Sequence, residues 1–179
     1  FIDSPVVLPL SFTTSYVQKP IVFVDHADGV DIANLTIDGL GRGNSNNRFS
    51  GVSYWNSGGS LTNVNCLNVM DTPFSGTQHG VGVYTTVTDA TPHIFTMTDV
   101  LVDDFQKTGV VMTGSGLTAH LTRVTTIGQG PTSITAQNGI QVSGNALTFA
   151  TGCDVSGVHY TPASVTATGL LVYGPATAH

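Results

Sequence analysis

Few side chains in this 179-residue chain could do chemistry. Its carboxylates are eleven Asp with no Glu, set against five Lys or Arg and six His. Cleaving a glycosidic bond takes two carboxyls across the bond, one acting as acid and the other as base or nucleophile. Asp71, Asp103 and Asp104 fall on one corner of the repeat described below. Asp71 and Asp103 lie one repeat apart, which puts a separation of about 5 to 9 Å within reach. The other candidate chemistry is removal of a proton beside a sugar carboxylate. That step needs a cationic base, a role open to Lys107 or Arg48, with the three aspartates around a calcium ion. The expected catalytic set is therefore Asp71, Asp103 and Lys107, with Arg48, His79, Asp104 and Trp55 binding substrate. Each Asp also has a plainer reading, as a turn residue whose carboxylate bonds its own backbone.

Binding alone asks for less. Trp55, Tyr84, Gln78 and the asparagines 44, 46, 47 and 56 could furnish aromatic platforms and amides along a flat side. Trp55 alternates out of phase with Val52 and Tyr54, so it is expected to face outward while Tyr54 joins the core. The histidines show no metal-ligand spacing, and no Glu accompanies them, so no metal site is expected. No loop gathers three or four Asp, so no cofactor is expected either, calcium being the one ion the corner could take. Gly41-Arg42-Gly43 and Gly114-Ser115-Gly116 open no helix and read as turns, not phosphate loops.

Composition narrows the partners. A formal charge of −6 with five scattered cations offers no basic stripe, so nucleic acid is not an expected partner. No apolar run approaches the roughly 20 residues of a spanning helix, so membrane insertion is not expected. The first twelve residues contain Asp3, Pro5 and Pro9 without a cationic start and do not read as a signal peptide. Scarce charge with abundant Thr and Asn fits an extracellular or cell-surface protein, and the absence of Glu disfavours long amphipathic helices.

The elements that must position these residues come from a repeat. A small residue followed by apolar positions recurs at Pro20-Ile21-Val22-Phe23, Gly51-Val52-Ser53-Tyr54, Gly80-Val81-Gly82-Val83, Gly109-Val110-Val111-Met112, Gly139-Ile140-Gln141-Val142 and Gly169-Leu170-Leu171-Val172, at intervals of 29 to 31 residues. A second motif lies between successive copies: Ile32, Asn34, Leu35, Ile37; Leu61, Asn63, Val64, Cys66; Met97, Asp99, Val100, Val102; Leu121, Arg123, Val124, Thr126; Ala150, Gly152, Cys153, Val155. Period-two alternation means strands with one buried face. A propeller blade needs about forty residues, and leucine-rich repeats need a denser leucine pattern. What remains is an all-β parallel β-helix of about five coils, in which equivalent side chains stack as inward ladders. The expected ladders are Leu35, Val64, Val100, Val124, Cys153 and Ile37, Cys66, Val102, Thr126, Val155. Cys66 and Cys153, three coils apart at about 14 Å, are then two buried free thiols.

The stretch 21–39, with its Val-Asp-His-Ala-Asp-Gly-Val-Asp-Ile-Ala-Asn-Leu-Thr-Ile-Asp-Gly core, resembles the coils of the right-handed parallel β-helix superfamily that includes pectate and pectin lyases. The likeness covers 21–173 as a pattern of coils. It implies right-handed winding, three short strands per coil and a carbohydrate partner. Gln78-His79-Gly80 is similar to half of the Gly-His-Gly motif of polygalacturonases, but Asp103-Asp104 follows it here instead of preceding it, and that mechanism is not carried over.

Residues 1–19 are expected to form an N-terminal cap or edge segment and 20–179 a single repeat domain. The second motif is spaced less evenly than the first, so insertions alternate between corners, and variable corners are where function sits on such scaffolds; one such corner spans 40–50, 70–79, 104–108, 128–138 and 158–168. The chain stops soon after Tyr173 without a visible cap, so a longer chain, a homo-oligomer or an end-to-end partner covering the last coil is expected. The expected function is polysaccharide binding. A lyase or hydrolase acting at the corner, or a purely structural module of an assembly, are the alternatives.

Overall fold

Each copy of the first motif becomes a strand of one sheet, and each copy of the second becomes a bent ribbon of the other. In a computed structural model describing residues 1–162 and 164–179, two short strands, β1 (Ile2–Asp3) and β2 (Phe12–Thr13), precede the repeat. The first coil consists of β3 (Val17–Asp25) and β4 (Val30–Asp38), and a 3₁₀ turn at Gly43–Ser45 leads to β5 (Phe49–Trp55) and β6 (Gly59–Val69) of the second. The next three coils have three strands each: β7 (Val81–Thr86), β8 (His93–Thr98) and β9 (Leu101–Phe105); β10 (Thr108–Thr113), β11 (Leu117–Thr122) and β12 (Thr125–Thr132); β13 (Asn138–Ser143), β14 (Leu147–Thr151) and β15 (Asp154–Tyr160). β16 (Thr168–Val172) and β17 (Thr177–Ala178) open a sixth.

The chain is a parallel β-solenoid of about five turns. β16, β13, β10, β7, β5 and β3 form a parallel sheet whose last edge is joined by antiparallel β2. The other sheet has ten strands and two faces, because the long β6 pairs with β8 through its first half and with β9 through its second. The bend between those faces is visible in the sequence. Asn34, Asn63, Asp99, Arg123 and Gly152, the polar member of each second motif, all have φ between 52° and 63°. Asn, Asp and Gly tolerate this left-handed conformation best, so these positions read as strand residues by pattern are corner residues by backbone. Their side chains stack outside the bend: Asn63 Nδ2 donates to Asn34 Oδ1 at 2.8 Å, and Arg123 Nε and an Nη donate to Asp99 at 2.6 and 2.7 Å.

Both expected ladders form. Ile37, Cys66, Val102, Thr126 and Val155 pair in register through five neighbouring strands, as do Leu35 and Val64 at the start of the companion column. Opposite stand two ladders of the first sheet: Val52, Val83, Val110, Ile140 and Tyr54, Thr85, Met112, Val142, all buried. The first motif is registered differently from expectation in two copies. Ser50 pairs with Pro20 and with Val81, so Gly51 stacks between Ile21 and Gly82, not between Pro20 and Gly80. Gly80 belongs instead to the turn that enters β7, with φ +90°.

The true column is Gly51, Gly82, Gly109, Gly139 and Gly169, and it faces the Cys66, Val102, Thr126, Val155 ladder at closest approach. A Cβ on Gly51 would lie 2.1 Å from Cys66 Sγ, one on Gly82 2.2 Å from a Val102 methyl, and one on Gly139 2.3 Å from a Val155 methyl. Cys66 Sγ donates to the Gly82 carbonyl at 3.3 Å, and burial, with Asp38 adding to it, pushes this thiol up to about 12. Both cysteines are free, but only Cys66 is fully buried. Cys153, which precedes the edge strand β15, is half-buried.

The first sixteen residues lie along the first coil, and Val17, Gln18 and Lys19, expected to belong to the edge segment, already form the start of β3. Ile2 pairs with Ile37, Leu8 enters the core, and Phe12 packs on the outer face of the first sheet. There Phe12 stacks on Phe23 at 5.0 Å and on Trp55 at 5.4 Å, with Tyr84 at 6.1 Å.

The glycine column gives a measurable contrast. Gly82→Ala is expected to cost about 1–3 kcal/mol of unfolding free energy, the usual range for overpacking. Gly169→Ala, where the nearest atom to a new Cβ is 3.7 Å away, is expected to be close to neutral. Equal losses in urea denaturation would contradict the column.

Candidate functional site

Arg48 and Lys107 immediately precede β5 and β10, and His79 precedes β7 with only Gly80 between them. Ser50, Val81 and Thr108 are register partners, so these three side chains rise from successive coils, about 5 Å per step. They line a cavity of about 360 Å³ on the outer face of the first sheet. Its floor is made by outward positions of the strands, among them Val81, Tyr84, Val111 and Gln141, and Tyr173 stands at the end where β16 closes the sheet. The opposite wall is the N-terminal segment, through Thr14, Tyr16 and Gln18.

Each group has a distinct environment. The Arg48 guanidinium lies 3.9 Å from the centre of the Tyr16 ring. Lys107 Nζ donates to the Ala136 carbonyl at 2.5 Å, and burial holds its pKa below the ordinary lysine value. His79 is also depressed, first by burial and then by the Arg48 charge, against an opposing pull from Asp71. Its Nδ1 is buried without a hydrogen-bond partner. Burial raises the Tyr84 phenol above its ordinary value.

The acidic residues sit elsewhere. Asp71 is 1% exposed and organises the loop that follows it. Its Oδ2 accepts from Ser75 Oγ and, at 2.7 Å, from Thr77 Oγ1, while its amide donates to Gln106 Oε1 at 3.1 Å. Asp71 Oδ1 is buried and unpartnered. Asp104 has φ 57°, the left-handed conformation of a corner residue, and its Oδ1 accepts from Gln129 Nε2 at 2.5 Å. Asp103 lies on β9 between Leu67 and Ile127 of the neighbouring coils, and burial followed by the Asp104 charge raises its carboxyl.

Of the residues singled out by sequence, the structure thus brings Arg48, His79 and Lys107, with Gln78 and Tyr84, to one pocket. Asp71, Asp103 and Asp104 do not line it. Trp55 is taken up by the aromatic stack with Phe12 and Phe23, and its Nε1 donates to Thr88 Oγ1 at 3.1 Å. Tyr16, Gln141 and Tyr173 are pocket residues that sequence reasoning missed. Gln141 occupies the outward position of the Gly139-Ile140-Gln141-Val142 motif, so correct register would have found it; the N-terminal wall carries no comparable signal.

A second, shallower cavity is bordered by Asp28, Asp31, Ser60 and Ile94. Its carboxylates are already engaged, Asp28 with His93 Nδ1 at 2.7 Å and Asp31 with Ser60 Oγ at 2.7 Å. Among the described residues no three His, Cys or Asp side chains converge as a metal-binding group, and no helix is long and apolar enough to cross a membrane.

Fold and pocket define the chain as a parallel β-solenoid that carries a cationic, tyrosine-walled cavity on one sheet face. Comparison with protein families, with curated proteins and with solved structures gives no match.

The His79 environment has a sign that titration can read. Because its folded pKa lies below the ordinary value, the unfolded chain binds more protons as pH falls through the usual histidine range, and this group's contribution to stability is lost over that interval. In Arg48→Gln the His79 midpoint, followed by imidazole NMR, is expected to rise. An unchanged midpoint would place the guanidinium away from the ring.

Proposed function

We propose that the chain is a glycan-binding module whose site is the cavity on the first sheet, acting at an extracellular or cell-surface location. The observation that carries this reading is the lining of that cavity. Tyr84 and Tyr173 offer ring faces for the apolar side of a sugar, and Gln18, Gln78, Gln141, Thr108, Thr113 and Ser143 offer donors and acceptors for its hydroxyls. Binding is favoured over cleavage because no carboxylate lines the cavity, and hydrolysis by an acid pair needs two. Lyase chemistry through calcium lacks support for the same reason: the acids that would hold the ion lie off the pocket. The likeness of the coils to pectate and pectin lyases supports a saccharide partner only by analogy of fold.

A titration with mixed plant, bacterial and animal oligosaccharides, followed by amide NMR, tests the reading. Shifts are expected at Tyr84, Val111, Gln141 and Tyr173, with Asp99 and Arg123 unmoved and no shortened product released. Gln141→Ala is expected to weaken binding about threefold to tenfold, the loss of one or two hydrogen bonds, and Asp103→Ala to leave it unchanged. Product release, or shifts confined to another face, would overturn the proposal.

A second reading, a module of a larger assembly, is favoured by one observation. Leu170 and Val172 continue the Ile140 and Val142 ladders, yet they are 53% and 41% exposed. Sedimentation that moves from monomer to dimer between micromolar and millimolar protein, and returns to monomer in Leu170→Asp, is its expected signature; a monomer throughout would count against it.

A further inference from the structure

The charge inside the pocket is opposite to the charge of the chain. Two of the five cations, Arg48 and Lys107, line it, and none of the eleven aspartates does. Neither cation has a counter-ion: the ion pairs among the described residues join His26 to Asp25, His93 to Asp28 and Arg123 to Asp99. The Arg48 guanidinium lies on the Tyr16 ring and donates to no acceptor among the described residues. Lys107 has three N–H groups and a single protein acceptor, the Ala136 carbonyl. Withdrawing cations from water without pairing them is costly, and the cost is recovered when an anion completes them.

The spacing fits one ligand. Arg48 and Lys107 start two coils apart, about 10 Å between backbones, with His79 on the coil between them. Both side chains are long enough to converge on one oxyanion or to grip two on successive sugar units. His79, whose charged form is disfavoured by burial, adds a hydrogen bond between them rather than a third charge. The net charge of −6 opposes anions at long range, but that field is screened within about 8 Å at physiological salt. Asp71, the carboxylate whose field reaches His79, is buried and not part of the lining, with one oxygen already held by Ser75 and Thr77.

We infer that the pocket selects acidic saccharides, its cationic wall of Arg48 and Lys107 holding a carboxylate or sulfate group while Tyr84 and Tyr173 hold the sugar. This inference rests on the glycan-binding reading above and names its ligand class.

Calorimetry with the whole chain tests it, using four probes: cellohexaose, a glucuronate hexamer, a heparin-derived hexasaccharide and inorganic sulfate. The acidic hexamers are expected to bind at least tenfold more tightly than cellohexaose, and to weaken as sodium chloride is raised. Their relative affinities separate carboxylate from sulfate. Arg48→Gln and Lys107→Gln are each expected to lose about tenfold, as removal of a charged donor does. Arg123→Gln, on the far corner, is the control and should change nothing; thermal melts establish that all three variants fold. Equal affinity for cellohexaose and the acidic hexamers, or an equal loss in Arg123→Gln, would overturn the inference while leaving glycan binding intact. If inorganic sulfate binds through Arg48 and Lys107 but no saccharide does, the anion site stands and the glycan reading falls, and with it the acidic-saccharide assignment. Silence from all four probes would overturn both.

Discussion

The rest of this molecule depends on one close approach: a column of glycines facing a column of Cys66, Val102, Thr126 and Val155 across the solenoid interior. Gly51, Gly82, Gly109 and Gly139 lack the Cβ that the opposite side chain would strike, so the two sheets meet at a distance no alanine column would allow. The contact is repeated once per coil, and that repetition fixes register. Slipping a strand by a single residue would drive a branched side chain into the gap and turn the buried ladders outward. Between Gly51 and Val52 the strand turns two successive positions toward the core, which restores alternation further on and leaves Ser53, Tyr84, Val111 and Gln141 on the outside. The floor of the pocket is therefore a consequence of how the core closes.

Register also explains why some polar residues that look chemical are architectural. Asn34, Asn63, Asp99 and Arg123 occupy the left-handed corner, and Asp104 occupies another. Asp71 ties the long loop before β7 to the corner through Ser75, Thr77 and Gln106. A β-solenoid has many corners and each needs backbone partners. Aspartates in such a chain are accounted for by turn geometry before chemistry is invoked. The cations are different, because nothing in the turns requires Arg48 or Lys107 to be charged.

The fold was legible in the sequence, since both ladders and the coil length follow from apolar alternation at a thirty-residue period. Two features blurred the register. Gly80 and Gly82 are both candidates for the glycine column, and only the position of Val83 against Val52 decides between them. Pro20 resembles the small residue of the motif but pairs with Ser50, one place earlier. The site was legible in part. Arg48, His79 and Lys107 could be grouped because they precede three equivalent strands, whereas grouping the aspartates with them treated one corner as one surface. Strand ends face the sheet while loop interiors face the next coil, and the sequence pattern carries that distinction only after register is correct. The N-terminal wall was not legible, because the docking of Phe12 on Phe23 and Trp55 joins residues with no repeat relation.

The most direct measurement is an NMR map of short proton contacts between coils, made on the native chain. The glycine column predicts contacts from the Gly51, Gly82, Gly109 and Gly139 α-protons to the side chains of Cys66, Val102, Thr126 and Val155, together with contacts between adjacent glycines along the column. Contacts that run instead from Gly80, or α-protons of these glycines that see only solvent, would contradict the register and with it the placement of the pocket.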